Sequence, residues 1–315
     1  MHAGRREANI RIRHKRKPYG QVAIVNMFFG KKKKQDTYIA QSEETKPTKR
    51  KKTVAARVSR ALQVIPSNFQ HVGARENQED AFAISDFSND KFVEDNGILA
   101  LVADGMGGLE LGEEASTVAS AAFMKTYENR KVSETIAQTM KRAMLIANTA
   151  VFDLAYGQFE EHDLGTTIVA AVIIGNHLHW ISAGDSRIYL YRNNSLKQLT
   201  RDHIYANYLE DDVTNGRLTA QEALEHPERD YLTSYLGLAD LKEICQEEEP
   251  LDLLNGDKIL LCSDGLTNTL TENEIITVLR NSFNNVAEEM VKEVLTKNNP
   301  HQDNVTVVVL SILSG

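Results

Sequence analysis

From Phe69 onward the chain breaks into short apolar runs bounded by turn residues, alternating with stretches whose apolar positions recur at helical spacing. The runs Ala81–Ser85 (AFAIS) and Gly97–Ala103 (GILALVA) predict strands, separated by a polar loop over 86–96. Two helices are predicted next, over 113–130 and 133–156. The first places Ala115, Val118, Ala119, Ala122 and Phe123 on one face. The β-branched stretch 166–200 predicts a meander turning at Gly175-Asn176 and Asn193-Asn194. A polar segment with helical patches, 201–236, follows it. Residues 257–266 (DKILLCSDGL) read as a strand ending in a turn. Two helices then open on cap-like Thr271-x-x-Glu274 and Asn285-x-x-Glu288, and the last strand is 304–313. Strands group with strands and helices with helices, which predicts an α+β fold of antiparallel sheets with helices packed outside them.

Residues 1–66 lack any sustained apolar period and carry the basic clusters RIRHKRK, KKKK and KRKK. Residues 1–60 hold 18 of the 36 Lys and Arg but 4 of the 44 Asp and Glu, so the net charge of −8 hides a basic head on an acidic body. We read 1–66 as a disordered basic head and 67–315 as one folded domain. The head is either a solvated tail or an electrostatic contact for acidic lipid, nucleic acid or an acidic protein. Met27 offers a second possible start. The apolar patch Val22–Phe29 is far below the ~18–20 residues of a membrane span and runs into KKKK rather than a cleavage site. No signal peptide or transmembrane helix is expected. Cys245 and Cys262 stand apart without metal-knuckle spacing, in keeping with a reducing, cytoplasmic setting.

Four acids sit where an apolar run meets a turn: Asp80 and Asp303 before strands, Asp104 and Asp264 after them. Asp-Gly and Asp-Asn are ordinary turn dipeptides, so each alone is unremarked. Under antiparallel pairing, however, a strand's start and its neighbour's end share one edge, and all four carboxylates converge there. Such a cluster repels itself unless something positive sits within it. Oxygen donors without adjacent Cys or His favour Mg²⁺ or Mn²⁺, and two such ions ~3.5–4 Å apart support in-line phosphoryl hydrolysis. Arg75, five residues before Asp80, has the planar fork that phosphate binding needs, although a plain salt bridge is the commoner role.

The segments ARENQEDAF, VADGMGG, GTTIVAAV, AGDSRIYLYR, LTRDH, CSDGL and DNVTVVV, in this order, resemble the motifs of the type 2C metal-dependent Ser/Thr protein phosphatases in their bacterial form. The resemblance spans about residues 68–313. It implies a four-layer α-β-β-α sandwich, two antiparallel sheets flanked by helices, with a flap over 201–236 bordering the cleft. It also implies a binuclear Mn²⁺ or Mg²⁺ centre. By motif, Asp104 bridges both ions, the Gly105 carbonyl ligates the second, and Asp264 and Asp303 complete the first. Glu79 and Asp80 bind metal-held water, and Arg75 takes the substrate phosphate. Asp185, with Asp264, matches a weaker third metal position.

Two departures stand out. Asp230, in HPERDYLTSYLG, replaces the commoner Asn or Ser and is either an addition to the third site or an exposed residue without a role. Met106 stands where eukaryotic members carry a histidine, so metal-bound water is the expected proton donor. The expected activity is hydrolysis of phosphoserine and phosphothreonine by a hydroxide bridging the two ions. A monomer opposing a Ser/Thr protein kinase is expected. The alternatives are an inactive phosphoprotein-binding scaffold, which loss of the metal aspartates would signal, or a phosphatase dedicated to an anti-sigma regulatory partner. His177 and His179, alternating on one strand, read as surface or cross-strand residues, and His203 and His226 as structural hydrogen bonders.

Overall fold

A computed structural model describes residues 62–107, 111–158, 164–282 and 285–314. In chain order the strands are β1 (Leu62–His71), β2 (Asp80–Ile84), β3 (Ile98–Met106), β4 (Gly165–Thr166), β5 (Ile168–Ile174), β6 (His177–Ala183), β7 (Arg187–Arg192), β8 (Ser195–Gln198), β9 (Cys245–Gln246), β10 (Leu251–Asp252), β11 (Lys258–Cys262) and β12 (Val305–Ser314). The helices are α1 (Asp90–Asn96), α2 (Leu111–Glu128), α3 (Ile136–Gln158), α4 (Ala206–Thr214), α5 (Ala220–Leu224), α6 (Asp264–Thr267), α7 (Glu272–Asn281) and α8 (Val286–Thr296). One sheet has the order β1-β12-β11-β7-β8. The other runs β10-β6-β5-β3-β2, with β4 on β3 and β9 on β6.

Side chains on successive strand residues leave opposite faces, and the core divides accordingly. On β3, Leu99, Leu101 and Ala103 join the cluster formed with α2 and α3, while Ala100 and Val102 face the second sheet. On β12, Val305, Val307 and Val309 pack with α7 and α8, and Val308, Leu310 and Ile312 face inward. The central strands are therefore buried on both faces, which is why they read as unbroken apolar runs. The outcome is the expected four-layer sandwich: helices, sheet, sheet, helices. Each side chain fully withdrawn from water contributes ~1.5–3 kcal/mol, so the three apolar layers dominate its stability.

Four local expectations are corrected. The folded body includes residues 62–66, which the sequence assigns to the head, because β1 pairs along its length with β12. Pro66 is tolerated there, opposite Leu310, since β1 is an edge strand. The rest of the head, 1–61, lies outside the described residues. The polar loop 86–96 contains α1, started by Asn89, whose side chain accepts the Phe92 N–H at 3.1 Å. The meander is two hairpins in different sheets, β5-β6 and β7-β8. The chain crosses between them at residues 184–186, where Gly184 adopts φ +105° and an added Cβ would meet Thr167. Finally, Thr271 and Glu274 do form a capping box, but Asn285 is left-handed and its side chain makes no cap bond.

His177 and His179 take the cross-strand role expected of them, pairing with Asp252 and Glu247 at 2.9 and 2.8 Å. His203 is buried, and its Nδ1 accepts the Gly184 N–H at 3.0 Å, holding the crossover. Burial pushes its imidazole below the usual histidine range. Among the described residues no helix is long and apolar enough to cross a membrane.

Candidate active site

Antiparallel pairing of β2 with β3 sets Asp80 directly opposite Asp104. In the other sheet Cys262 lies opposite Val307, which leaves Asp264 just past the end of β11 and Asp303 just before the start of β12. The four acids do converge, but two come from each sheet, so they ring the mouth between the sheets rather than one sheet's edge. Asp185 reaches the same place because it sits on the crossover from β6 to β7. A cavity of about 260 Å³ results, lined by Arg75, Glu79, Asp104, Gly105, Met106, Gly107, Thr167, Asp185, Leu232, Asp264, Asp303 and Asn304.

Short-range contacts hold the backbone here. The carbonyl of Asp104 accepts from Thr166 Oγ1 and Thr167 N, both at 2.8 Å, and Thr167 Oγ1 accepts the Asp104 N–H at 3.2 Å. Gly105 donates to the Glu79 carbonyl at 3.1 Å, and a Cβ on it would lie 2.0 Å from the Gly112 carbonyl oxygen, so no other residue fits. Gly112, at the start of α2, in turn leaves space beside Glu79 Oε1 and the Gly105 carbonyl. Ser263 links the sheets: its hydroxyl donates to Asp80 Oδ2 at 2.7 Å and accepts the Thr306 N–H at 3.0 Å.

Electrostatically the cluster is uncompensated. Burial, then the charges of Asp80, Asp264, Asp185 and Asp303, hold Asp104 well above the usual carboxylate range. Burial lifts Asp80 to about 7 even though the Ser263 hydroxyl opposes the shift. Asp185 rises to about 6 through burial and Asp264, and Asp264 rises through burial and Asp303. Glu79 is also raised by burial, against the pull of Arg75. Among the described residues that line the cavity Arg75 is the one cation; its Nη2 donates to Asp303 Oδ2 at 2.6 Å, with the side chain 56% exposed.

This donor set fits a hard divalent cation. It offers carboxylate and carbonyl oxygens, and Asp80 Oδ1 is buried without a hydrogen-bond partner among the described residues. Among those residues no three His, Cys, Asp or Glu side chains close around a single point. Met106 lines the cavity and brings no proton donor. Asp230 does not reach the cavity: its carboxylate is 82% exposed and accepts from Arg229 Nε at 3.3 Å. Ser263 and Asn304, each next to an acid in its motif, and Thr167, in the acid-free GTTIVAAV, carry no mark in the sequence of the bonds they make here. Gly112 carried no signal of its own.

Both the sequence and the fold have known relatives. A family model described as Protein phosphatase 2C matches residues 70–298. The serine/threonine phosphatase Stp of Listeria welshimeri is 31% identical over 221 residues, 69% of this chain and 85% of that protein. Among solved structures, the Mycobacterium tuberculosis serine/threonine phosphatase PstP/Ppp superposes with a TM-score of 0.64 at 28% identity, covering 81% of this chain and 100% of that one. A PstP catalytic domain in complex with two manganese ions gives 0.61 at 27% identity, covering 80% and 99%. A fold that superposes on these phosphatases and a family match over most of the chain lead to one conclusion: the chain belongs to the protein phosphatase 2C family.

Proposed function

We propose that this chain removes phosphate from phosphoserine and phosphothreonine in proteins, using two Mn²⁺ or Mg²⁺ ions, with a weaker third ion beside Asp185. The observation that carries the proposal is the uncompensated mouth: carboxylates from both sheets share one small cavity with Arg75. Asp104, the Gly105 carbonyl, Asp264 and Asp303 would hold the ions, with Glu79 and Asp80 accepting from their water. Bound there, such ions supply a nucleophile at neutral pH and offset charge on the phosphoryl oxygens.

The protein's own groups do the rest. Arg75, exposed at the rim, turns its fork to two phosphate oxygens and gives up Asp303 as it does so. Asp80, fixed by Ser263, keeps one oxygen free to accept a proton or a hydrogen bond. Leu232, from segment 201–236, borders the opening, in line with a flap that meets the protein substrate. Similarity to Stp and PstP, named as serine/threonine phosphatases, supports the substrate class. A cytoplasmic monomer opposing a Ser/Thr kinase is the setting we propose. An inactive scaffold is disfavoured because every acid of the mouth is present.

Hydrolysis of p-nitrophenyl phosphate and of a phosphothreonine peptide tests the proposal. Mn²⁺ should support both reactions, EDTA should abolish them, and Asp264→Asn should lower kcat/KM by about 10³-fold or more. Turnover that survives EDTA or the substitution would refute the metal-dependent route.

A further inference from the structure

The segment that carries Arg75 and Glu79, residues 72–79, has no regular secondary structure, yet residues 302–304 hold it along its length. Asn304, 4% exposed, donates through Nδ2 to the carbonyls of Val72 at 2.8 Å and Asn77 at 3.0 Å. Its Oδ1 accepts the Glu79 N–H at 2.6 Å, and its own N–H donates to Asp303 Oδ1 at 2.8 Å. Ala74 N donates to the Gln302 carbonyl at 2.8 Å. Gly73, at φ +68°, lies so close to Asp303 that a Cβ would come 2.2 Å from its carbonyl oxygen.

Both donors and the acceptor of the Asn304 carboxamide are thus committed to one loop's backbone, although the residue borders the cavity. The side chain has little left to offer a substrate. What it controls is the place from which Arg75 projects. Without it, the Val72 carbonyl keeps only the longer bond from Arg75 N at 3.4 Å, the Asn77 carbonyl and the Glu79 N–H lose their Asn304 bonds, and Arg75 reaches the mouth in only a fraction of molecules. Apparent affinity falls by that fraction.

We propose that Asn304 is a positioning residue: it preforms the Arg75 loop against the strand start that carries Asp303, and so sets affinity for the phosphate group through Arg75. The inference rests on Arg75 being the phosphate-binding group. It separates two duties at the mouth, since Asn304 tunes phosphate affinity while leaving the metal-binding aspartates in place.

A double-mutant cycle tests it. Inorganic phosphate is titrated into Mn²⁺-loaded protein and read by thermal shift, so that turnover is not needed, and KM for p-nitrophenyl phosphate is measured in parallel. Asn304→Ala should weaken phosphate about tenfold and raise KM to match, with kcat changed less than threefold and Mn²⁺ affinity by calorimetry changed less than twofold. In an Arg75→Ala background the same substitution should change phosphate affinity less than twofold. Asn304→Asp keeps an acceptor for Glu79 but loses both donors, and should move in the same direction. Equal losses in both backgrounds, or a loss of Mn²⁺ affinity as large as that of phosphate, would overturn the proposal.

Hydrogen exchange of the metal-free wild-type protein provides a check that needs no variant. The amides of Ala74 and Glu79 should be protected before any ligand is added, and rapid exchange there would sink the preformed loop. A wild type that hydrolyses no phosphomonoester would count against the proposed function, whereas the exchange result judges the loop by itself.

Discussion

Asp257 and Asp80 are both buried acids, 2% and 5% exposed, and they sit in opposite electrostatic circumstances. Asp257 Oδ1 accepts Arg192 Nε at 2.9 Å, and its Oδ2 accepts Arg192 Nη2 at 2.6 Å and the Leu254 N–H at 2.7 Å. Both oxygens are satisfied and the charge is matched. Asp80 has the Ser263 hydroxyl on Oδ2 and the Thr306 hydroxyl beside it, no hydrogen-bond partner on Oδ1 among the described residues, and the carboxylates of Asp104, Asp264 and Asp303 nearby. A fold gains from the first arrangement. The second makes sense only if a positive ligand completes it, and this difference separates scaffold from site in a protein where acids outnumber bases.

Opposite responses to the same isosteric change follow. Asp257→Asn turns an amide N–H towards the Arg192 guanidinium and leaves that charge unpaired. Breaking a fully buried pair costs ~3–5 kcal/mol. Because the Arg192 side chain is 29% exposed, about 2–3 kcal/mol is expected, with a Tm lower by about 5–10 °C. Asp80→Asn keeps an acceptor for Ser263 and removes a repelling charge. The metal-free protein should melt about 2–4 °C higher, while Mn²⁺ no longer raises its Tm as far. If both variants lose stability in EDTA, the contrast between the two acids fails.

Titration of the metal-free protein sharpens the contrast. In the unfolded chain these carboxylates ionise near the ordinary aspartate value of 3.8, whereas Asp80 ionises at about 7 and Asp185 at about 6 when folded. Between those limits the folded state binds more protons than the unfolded state. The stability that these two groups contribute is therefore full below about pH 4 and falls as pH rises towards 7. Thermal melts in EDTA should show that decline, Mn²⁺ should flatten it, and Asp80→Asn should make it shallower. A metal-free Tm that rises steadily from pH 4 to 7 would contradict the charge balance described here.

The strands and the acids were legible for the same reason: β3, β11 and β12 are buried on both faces, so their apolar runs stand out, those of β3 and β11 stopping at or just before Asp104 and Asp264 and that of β12 beginning just after Asp303. What stayed hidden was which strands share a sheet. The run from Thr166 to Thr200 reads as one meander because each turn signal is local, whereas the crossover at Gly184 is decided by packing across the sandwich. The start of β1 was missed because Pro66 and its polar neighbours suit an edge strand only once β12 is there to pair with. Asn304 was visible as a letter in DNVTVVV. Its three bonds to residues 72–79, more than 220 positions away, belong to the fold and have no local signature.

Asp230 supplies a third arrangement and the smallest expected effect. Its carboxylate is neither buried nor crowded: it is 82% exposed and meets Arg229 Nε across 3.3 Å, a surface pair of the kind that contributes ~0–1 kcal/mol. If uncompensated burial is what marks an acid for metal, Asp230 lacks the mark despite standing where the family commonly has Asn or Ser. Asp230→Asn should then leave the Mn²⁺ concentration for half-maximal activity unchanged within twofold and the Tm within about 1 °C. Asp185→Asn, assayed beside it, should weaken the response at high Mn²⁺, because Asp185 is half-buried in the cavity wall and feels the charge of Asp264. A fivefold or larger shift for Asp230→Asn would mean that segment 201–236 folds its carboxylate into the mouth when metal is bound.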